Sequence, residues 1–182
     1  MKASFCLRLT LLTAIALALS LAPDAKAEIP LPAFEPGNAA GNGFAAGFGH
    51  TCALTTTGKV ACWGDNQYGQ LGRDSVGGFS AEPSLVVGLP GCDVSAPHPN
   101  WGGIISLTAG ENHTCALRDD GRVWCWGENE YGQLGDGTLE DRAVPVLAHI
   151  QQDANGIPEP VTAIAAGKAH TCALLGSGEI HC

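Results

Sequence analysis

Positive charge is scarce in this chain. Lys and Arg number 9 against 18 Asp and Glu, a formal net charge of −9 at pH 7 over 182 residues. A nucleic-acid-binding surface needs clustered basic side chains to neutralise phosphates. Here Arg73, Arg118, Arg122 and Arg142 are scattered, so contact with nucleic acid is disfavoured. Reactive signatures are missing too. There is no Gly-x-Ser-x-Gly elbow, no Gly-x-x-x-x-Gly-Lys phosphate cradle and no His-Glu-x-x-His zinc helix. No catalytic residue and no cofactor is therefore expected. A long hydrophobic run is also lacking. The uncharged stretch from Leu9 to Ala22 has 14 residues, and a spanning helix takes about 20.

The flanks of that stretch give it another meaning. Lys2 and Arg8 precede it, and Ala25-Lys26-Ala27 follows with the small residues a signal peptidase accepts. Residues 1–27 are expected to be a cleaved secretory signal, the alternative being an uncleaved anchor. Cys6 lies ahead of the apolar run, where a lipid-anchor cysteine would not be. Residues 28–42 read as a Pro/Gly linker. The mature chain, starting at Glu28, would carry six basic and 17 acidic residues, a net −11. It would be secreted, periplasmic or at the cell surface, with no stable membrane insertion after cleavage.

What the chain has in abundance is repetition. His50-Thr51-Cys52-Ala53-Leu54 returns at His113 to Leu117 and again at His170 to Leu174. Ala-Gly precedes each copy, and a second cysteine follows the first after ten residues, at Cys62, Cys125 and Cys182. Behind the first two pairs comes Trp-Gly-acid-Asn-x-Tyr-Gly-Gln-Leu-Gly, from Trp63 to Gly72 and from Trp126 to Gly135. Copies 63 and 57 residues apart mark a repeat protein.

Each copy reads as a hairpin. If Cys52 faces Cys62, then Leu54 faces Val60, because side chains alternate with period two. The loop Thr56-Thr57-Gly58 has glycine last, the pattern of a type I turn followed by a left-handed residue. Asp119-Asp120-Gly121 fills the same slots, and Leu117 then faces Val123. In the third copy Ser177-Gly178 follow Gly176, and Leu174 faces Ile180. The other face pairs Thr51 and Ala53 with Ala61 and Trp63, and Thr114 and Ala116 with Trp124 and Trp126. A hairpin apolar on both faces needs a sheet on each side, as radially arranged repeats provide. Trp63 and Trp126 are accordingly expected to be buried structural residues.

Directly opposed strand residues bring Cα atoms close enough for a disulfide, and an exported chain meets an oxidising compartment. Bridges Cys52–Cys62, Cys115–Cys125 and Cys172–Cys182 are expected. A metal site from His50, Cys52 and Cys62 is the competing reading, but structural zinc sites prefer cysteines two to four residues apart. Cys92 is left over as a free thiol, an intermolecular bridge, or half of a pair with missing sequence.

These motifs, Ala-Gly-x-x-His-Thr and then Gly-x-Val-x-x-Trp-Gly-x-Asn-x-Tyr-Gly-Gln-Leu-Gly, resemble the regulator-of-chromosome-condensation repeat family over residues 43–182. The resemblance implies an all-β fold of propeller blades, each a four-stranded antiparallel sheet, and here an incomplete propeller of about two to three repeats. The stretches 73–108 and 136–165 depart from the compact repeat and would hold the remaining strands with inserted loops. Cys182 stands where a Trp-Gly would follow, so a partial product is expected, the alternative being a short protein that closes by oligomerising. His50, His113 and His170 are read as structural, each making the same buried hydrogen bond in its own blade, rather than as a ring binding an ion. Asn66 and Asn129 are read as turn residues, and Gly69 and Gly132 as repeat consensus. Asn112-His113-Thr114 matches a glycosylation sequon but falls within the repeat.

Three functions follow. The first is a secreted scaffold whose blade loops bind a protein or extracellular ligand. The second is guanine-nucleotide exchange on a small GTPase, implied by the family's nuclear member. The third is an enzyme using the central channel, for which no acid/base pair is found. Non-reducing peptide mapping of exported chain is expected to find the three within-hairpin bridges. Bridges between repeats would overturn the register.

Overall fold

The computed structural model describes residues 43–55, 58–89, 103–150 and 159–182. The expected signal segment, the linker and Cys92 lie outside these. Eleven strands form three antiparallel sheets among the described residues. The first holds β1 (Phe44–Ala46), β2 (His50–Leu54), β3 (Val60–Asp65) and β4 (Phe79–Leu85) in that order. The second repeats it with β5 (Ile104–Ala109), β6 (His113–Arg118), β7 (Val123–Gly127) and β8 (Arg142–Leu147). The third has β9 (Val161–Ala166), β10 (Thr171–Leu175) and β11 (Ile180–His181). The stretches between signatures thus carry β4 and β5, then β8 and β9.

The hairpins fold in the register that period two dictates. Cys52 pairs with Cys62, Leu54 with Val60 and Thr51 with Trp63. Cys115 pairs with Cys125, Leu117 with Val123 and Thr114 with Trp126, while Leu174 pairs with Ile180. Gly58, Gly121 and Gly178 close the turns at φ 76°, 80° and 93°, a region in which a Cβ is strained. Each of these glycines donates its N–H three residues back, to the carbonyls of Thr55, Arg118 and Leu175. Beyond each pair of β3/β7 cysteines the ladder shifts register, between Cys62 and Gly64 and between Cys125 and Gly127. Gly64 and Gly127 stand at φ 107° and 105°, and these kinks carry the chain out of the hairpin.

Burial reveals how the sheets stack. In β6 all six residues are buried, so both faces of the middle sheet are covered. In β2 and β10 burial alternates with opposite parity. His50 and Cys52 are buried in the first sheet, Ala173 and Leu175 in the third. The face carrying cysteines therefore meets the next sheet, and the face carrying Thr, Ala and Trp meets the preceding one. One apolar cluster joins Cys52, Val60, Cys62 and Leu71 to Ile104, Leu107, Ala116 and Trp126. A second joins Cys115, Leu117, Val123, Cys125 and Leu134 to Val161, Ala173 and Leu175.

This arrangement separates the two tryptophans that the sequence treats alike. Trp126 is fully buried against the first sheet and donates its Nε1–H to the Gln70 carbonyl at 2.8 Å. Trp63 is only half-buried, because no described sheet packs on its face. The expectation that both are buried thus holds for one. At the other end Leu174 and Ile180 are 37% and 69% exposed, again for want of a covering sheet among the described residues. Trp126→Ala is expected to lower stability by about 3–5 kcal/mol, as for other large core aromatics, and Trp63→Ala by less than half as much. Denaturant unfolding monitored by circular dichroism checks the difference. Equal losses would contradict this stacking.

Candidate binding surface

The inner ends of the three sheets are built by the Ala-Gly-x-x-His-Thr segments. In each the glycine N–H donates to the histidine carbonyl at 2.9 Å, for Gly47 and His50, Gly110 and His113, and Gly167 and His170. This tight turn links β1 to β2, β5 to β6 and β9 to β10. Glycine is required there by close approach. A Cβ on Gly47 would strike the His50 ring and come within 2.6 Å of the Gly110 carbonyl oxygen, and Gly110 meets His113 and Gly167 in the same way. The turns of successive sheets are also tied together. The Phe48 N–H donates to the Glu111 carbonyl at 3.2 Å and the Glu111 N–H to the Lys168 carbonyl at 2.9 Å.

Each buried histidine reaches across to the following sheet. His50 Nε2 lies 2.8 Å from Thr114 Oγ1, and His113 Nε2 lies 2.9 Å from Thr171 Oγ1. The expectation of a bond within each blade is corrected here. The threonine facing the ring belongs to the next repeat, because the histidine sits on the face that meets that repeat. Thr114 donates its own hydroxyl proton to the Gln70 carbonyl at 3.3 Å, so it accepts from His50, which fixes the Nε2–H tautomer. His50 Nδ1 and His113 Nδ1 are buried without a partner among the described residues. His170 is exposed and makes no such bond among the described residues.

A charged imidazolium would place a proton on that partnerless Nδ1. Burial lowers the pKa of His50 to about 4, with Asp65 opposing in part, and that of His113 to about 4, with His50 and His170 adding to the effect. The rings are neutral pillars between sheets at pH 7.

The other repeated positions serve the same frame. Cys52–Cys62, Cys115–Cys125 and Cys172–Cys182 are joined as disulfides with Cα atoms 4.1, 4.1 and 4.0 Å apart. Asn66 accepts the Leu71 N–H at 3.0 Å, and Asn129 accepts the Leu134 N–H at 3.0 Å. Gly69 and Gly132 take φ 82° and 77° within those turns. Among the described residues no cluster of three His, Cys, Asp or Glu has the makings of a metal site. In the sequon, Asn112 Nδ2 donates to Glu128 at 3.3 Å while His113 and Thr114 are fully buried.

Variety appears where the repeat does not repeat. The x of Ala-Gly-x is Phe48, Glu111 and Lys168 in turn. Together with the Ala-Gly residues before them they line a shallow, open cavity of about 450 Å³. Phe48 is 85% exposed, and Lys168 pairs with Glu111 at 3.3 Å. Sequence reasoning passed over this column. Its signal was present, as the first of two variable slots in an otherwise constant segment.

Comparison with known proteins matches this geometry. Two models described as the regulator of chromosome condensation (RCC1) repeat match, one at residues 43–70 and 104–133, the other at 57–117 and 120–174. The chain belongs to the regulator of chromosome condensation repeat family. Its sheets are blades of a β-propeller, as in crystal structures of human WBSCR16 (TM-score 0.59, 25% identity, 75% of this chain and 31% of that one) and of Prp20p from Saccharomyces cerevisiae (TM-score 0.59, 26% identity, 75% and 30%). Among curated relatives, Protein RCC2 of Homo sapiens is 40% identical over 118 residues, 65% of this chain and 20% of that protein. The probable E3 ubiquitin-protein ligase HERC4 of Homo sapiens is 34% identical over 136 residues, 75% and 11%. The chain thus spans between about a tenth and a third of the length of these proteins.

The buried histidines set a pH dependence. The unfolded chain binds protons on these rings as pH falls below about 6.5, whereas the folded chain does so only near 4, so stability rises with pH between those limits. The stabilisation is complete above 6.5 and gone below 4, with at most about 3 kcal/mol per ring at stake. Urea midpoints measured from pH 7.5 to 4 are expected to fall through this window. His113→Gln is expected to flatten the fall; an unchanged slope would mean the ring is not buried neutral.

Proposed function

We propose that this chain acts as a secreted, disulfide-braced protein-binding module, engaging an extracellular protein through the non-repeating side chains at the inner ends of its blades. The observation that carries this reading is Phe48. An aromatic side chain 85% exposed stands at a position that is charged in the next two repeats, over buried histidines that are spent on packing between sheets. Aromatic anchors beside polar neighbours are the usual centre of an interface. Export is supported by Lys2, Arg8 and the uncharged stretch behind them, and three disulfides fit an oxidising compartment. Among the described residues no helix is long and apolar enough to cross a membrane. The reading involves no catalysis.

A photo-crosslinking residue at position 48 tests it. Crosslinks to one discrete protein in the native extracellular milieu, lost when the crosslinker is moved to exposed Glu130, are expected. Phe48→Ala is expected to weaken capture of that protein at least tenfold without shifting the melting temperature. Absence of any specific adduct from position 48 would sink the reading.

Guanine-nucleotide exchange is the second reading. It rests on the likeness to Prp20p, whose structure is described with its binding to Gsp1p and histones. This chain covers only 30% of that one, and no exchange residue can be placed on it. Release of a fluorescent guanine nucleotide from a small GTPase is expected to stay unchanged with equimolar chain. A tenfold acceleration would favour exchange over the secreted module.

A further inference from the structure

Of the three turns that form the Phe48 column, the middle one is held from both sides. The Phe48 N–H donates to the Glu111 carbonyl, and the Glu111 N–H donates to the Lys168 carbonyl. The surroundings of Glu111 are therefore set by a turn on either side of it. Lys168 Nζ lies 3.3 Å from a Glu111 carboxylate oxygen, the two side chains being 78% and 30% exposed. The carboxylate is thus seated in the open cavity, and the cation that meets it reaches in from solvent. Exposed ion pairs of this kind contribute little to stability, so the lysine is readily exchanged for another cation.

The surroundings of that carboxylate bear on which cation suits it. The floor of the cavity includes Ala46, Gly47, Ala109 and Gly110. A Cβ at either glycine would strike a histidine ring, so the floor stays flat and can take an extended side chain. The Phe48 ring stands beside it, 85% exposed. Further carboxylates flank the first two turns. The Asp65 N–H donates to the Gly49 carbonyl at 2.8 Å, and the Glu128 N–H to the Asn112 carbonyl at 3.0 Å. The Glu128 carboxylate also accepts from Asn112 Nδ2 at 3.3 Å. Among the described residues of these turns, Lys168 is the one cation set against Asp65, Glu111 and Glu128, the histidines beneath being neutral.

We propose that this cavity receives an arginine side chain of the bound protein, whose guanidinium lies between the Phe48 ring and Glu111 and displaces Lys168 from the carboxylate. The proposal rests on the reading of the Phe48 column as a protein-binding surface, and adds the chemistry of the segment that docks there. A guanidinium is planar, stacks on an aromatic face and pairs with a carboxylate through two parallel N–H donors. An ammonium offers a point charge and no such fork. Lys168 holds the position in the free chain and gives it up on binding. The surplus of carboxylates draws a basic segment to this rim and disfavours an acidic one.

A random dodecapeptide library displayed on phage is the probe, selected on the full chain and depleted on the Phe48→Ala chain. Surviving sequences are expected to carry arginine. One of them is then synthesised with arginine or with citrulline, its neutral isostere, and titrated by calorimetry. The arginine peptide is expected to bind roughly tenfold tighter, as a charge-assisted pair requires. Glu111→Gln is expected to remove that difference. Lys168→Gln is expected to tighten the arginine peptide by about threefold, the modest effect of freeing an exposed pair. A pair that merely braces the turns predicts weaker binding by both variants. Surviving sequences without arginine would overturn the proposal while leaving the column a binding surface. Equal binding of the citrulline peptide, or weaker binding by the Lys168→Gln chain, would do the same. A depletion that leaves no sequence would overturn both the proposal and the reading on which it rests.

Discussion

Everything in this structure depends on the fact that each sheet is apolar on both faces and must be covered on both. A surface helix or one-sided sheet hides a single face, but here the cysteine, leucine and valine positions of a hairpin point one way and the threonine, alanine and tryptophan positions the other. Only the middle sheet has both faces met among the described residues, and its β6 strand is buried along its whole length. The flanking sheets are half-covered, with burial of opposite parity. Each fully buried Leu or Val contributes about 1.5–3 kcal/mol relative to exposure. Stability therefore resides in the interfaces between blades, as repeat arrays generally require.

The inner strands show how closely that packing is specified. In the first two blades a glycine beneath the histidine lets the carbonyl of the next turn approach, and the histidine spans the gap to a threonine one repeat on. These contacts join residues about 60 positions apart in the chain, with separations of 64 and 58. They are polar bonds inside an apolar contact, which fixes the relative placement of the sheets more sharply than leucines and valines alone could. The neutral ring suits this role, since it donates through one nitrogen and adds no charge to be desolvated.

How much of this could be read from the sequence follows from the range of each interaction. Hairpin register was legible because it is local. Ten residues between cysteines, a glycine at the turn and period-two alternation leave one pairing that keeps Leu opposite Val. The family string from Trp63 to Gly72 then made the blade legible. The partner of His50 was not, because a hairpin's own pattern says nothing about what lies beyond its face. β4 escaped for a different reason. Its residues are almost all exposed, with Pro83 among them, so no apolar rhythm marks it, and pairing with β3 alone makes it a strand. Trp63 and Trp126 read identically and differ in burial, because burial belongs to the neighbouring sheet and not to the residue.

The disulfides fit the same logic once their location is considered. Bridging two strands already joined by a short turn removes little entropy from the unfolded chain, roughly 3 kcal/mol at most in the loop-closure picture. Yet in the first two blades both cysteines are fully buried, on the face that meets the next sheet. Thr114 Oγ1 lies 3.8 Å from Cys52 Sγ, and Thr171 Oγ1 lies 3.7 Å from Cys115 Sγ. The sulfurs are thus part of the contact between blades, packed beneath the threonine that holds the histidine. Reduction would place two thiols where one bridge fits, in the layer that carries the stability. A crosslink that is local in sequence is in this way coupled to the long-range packing of the fold.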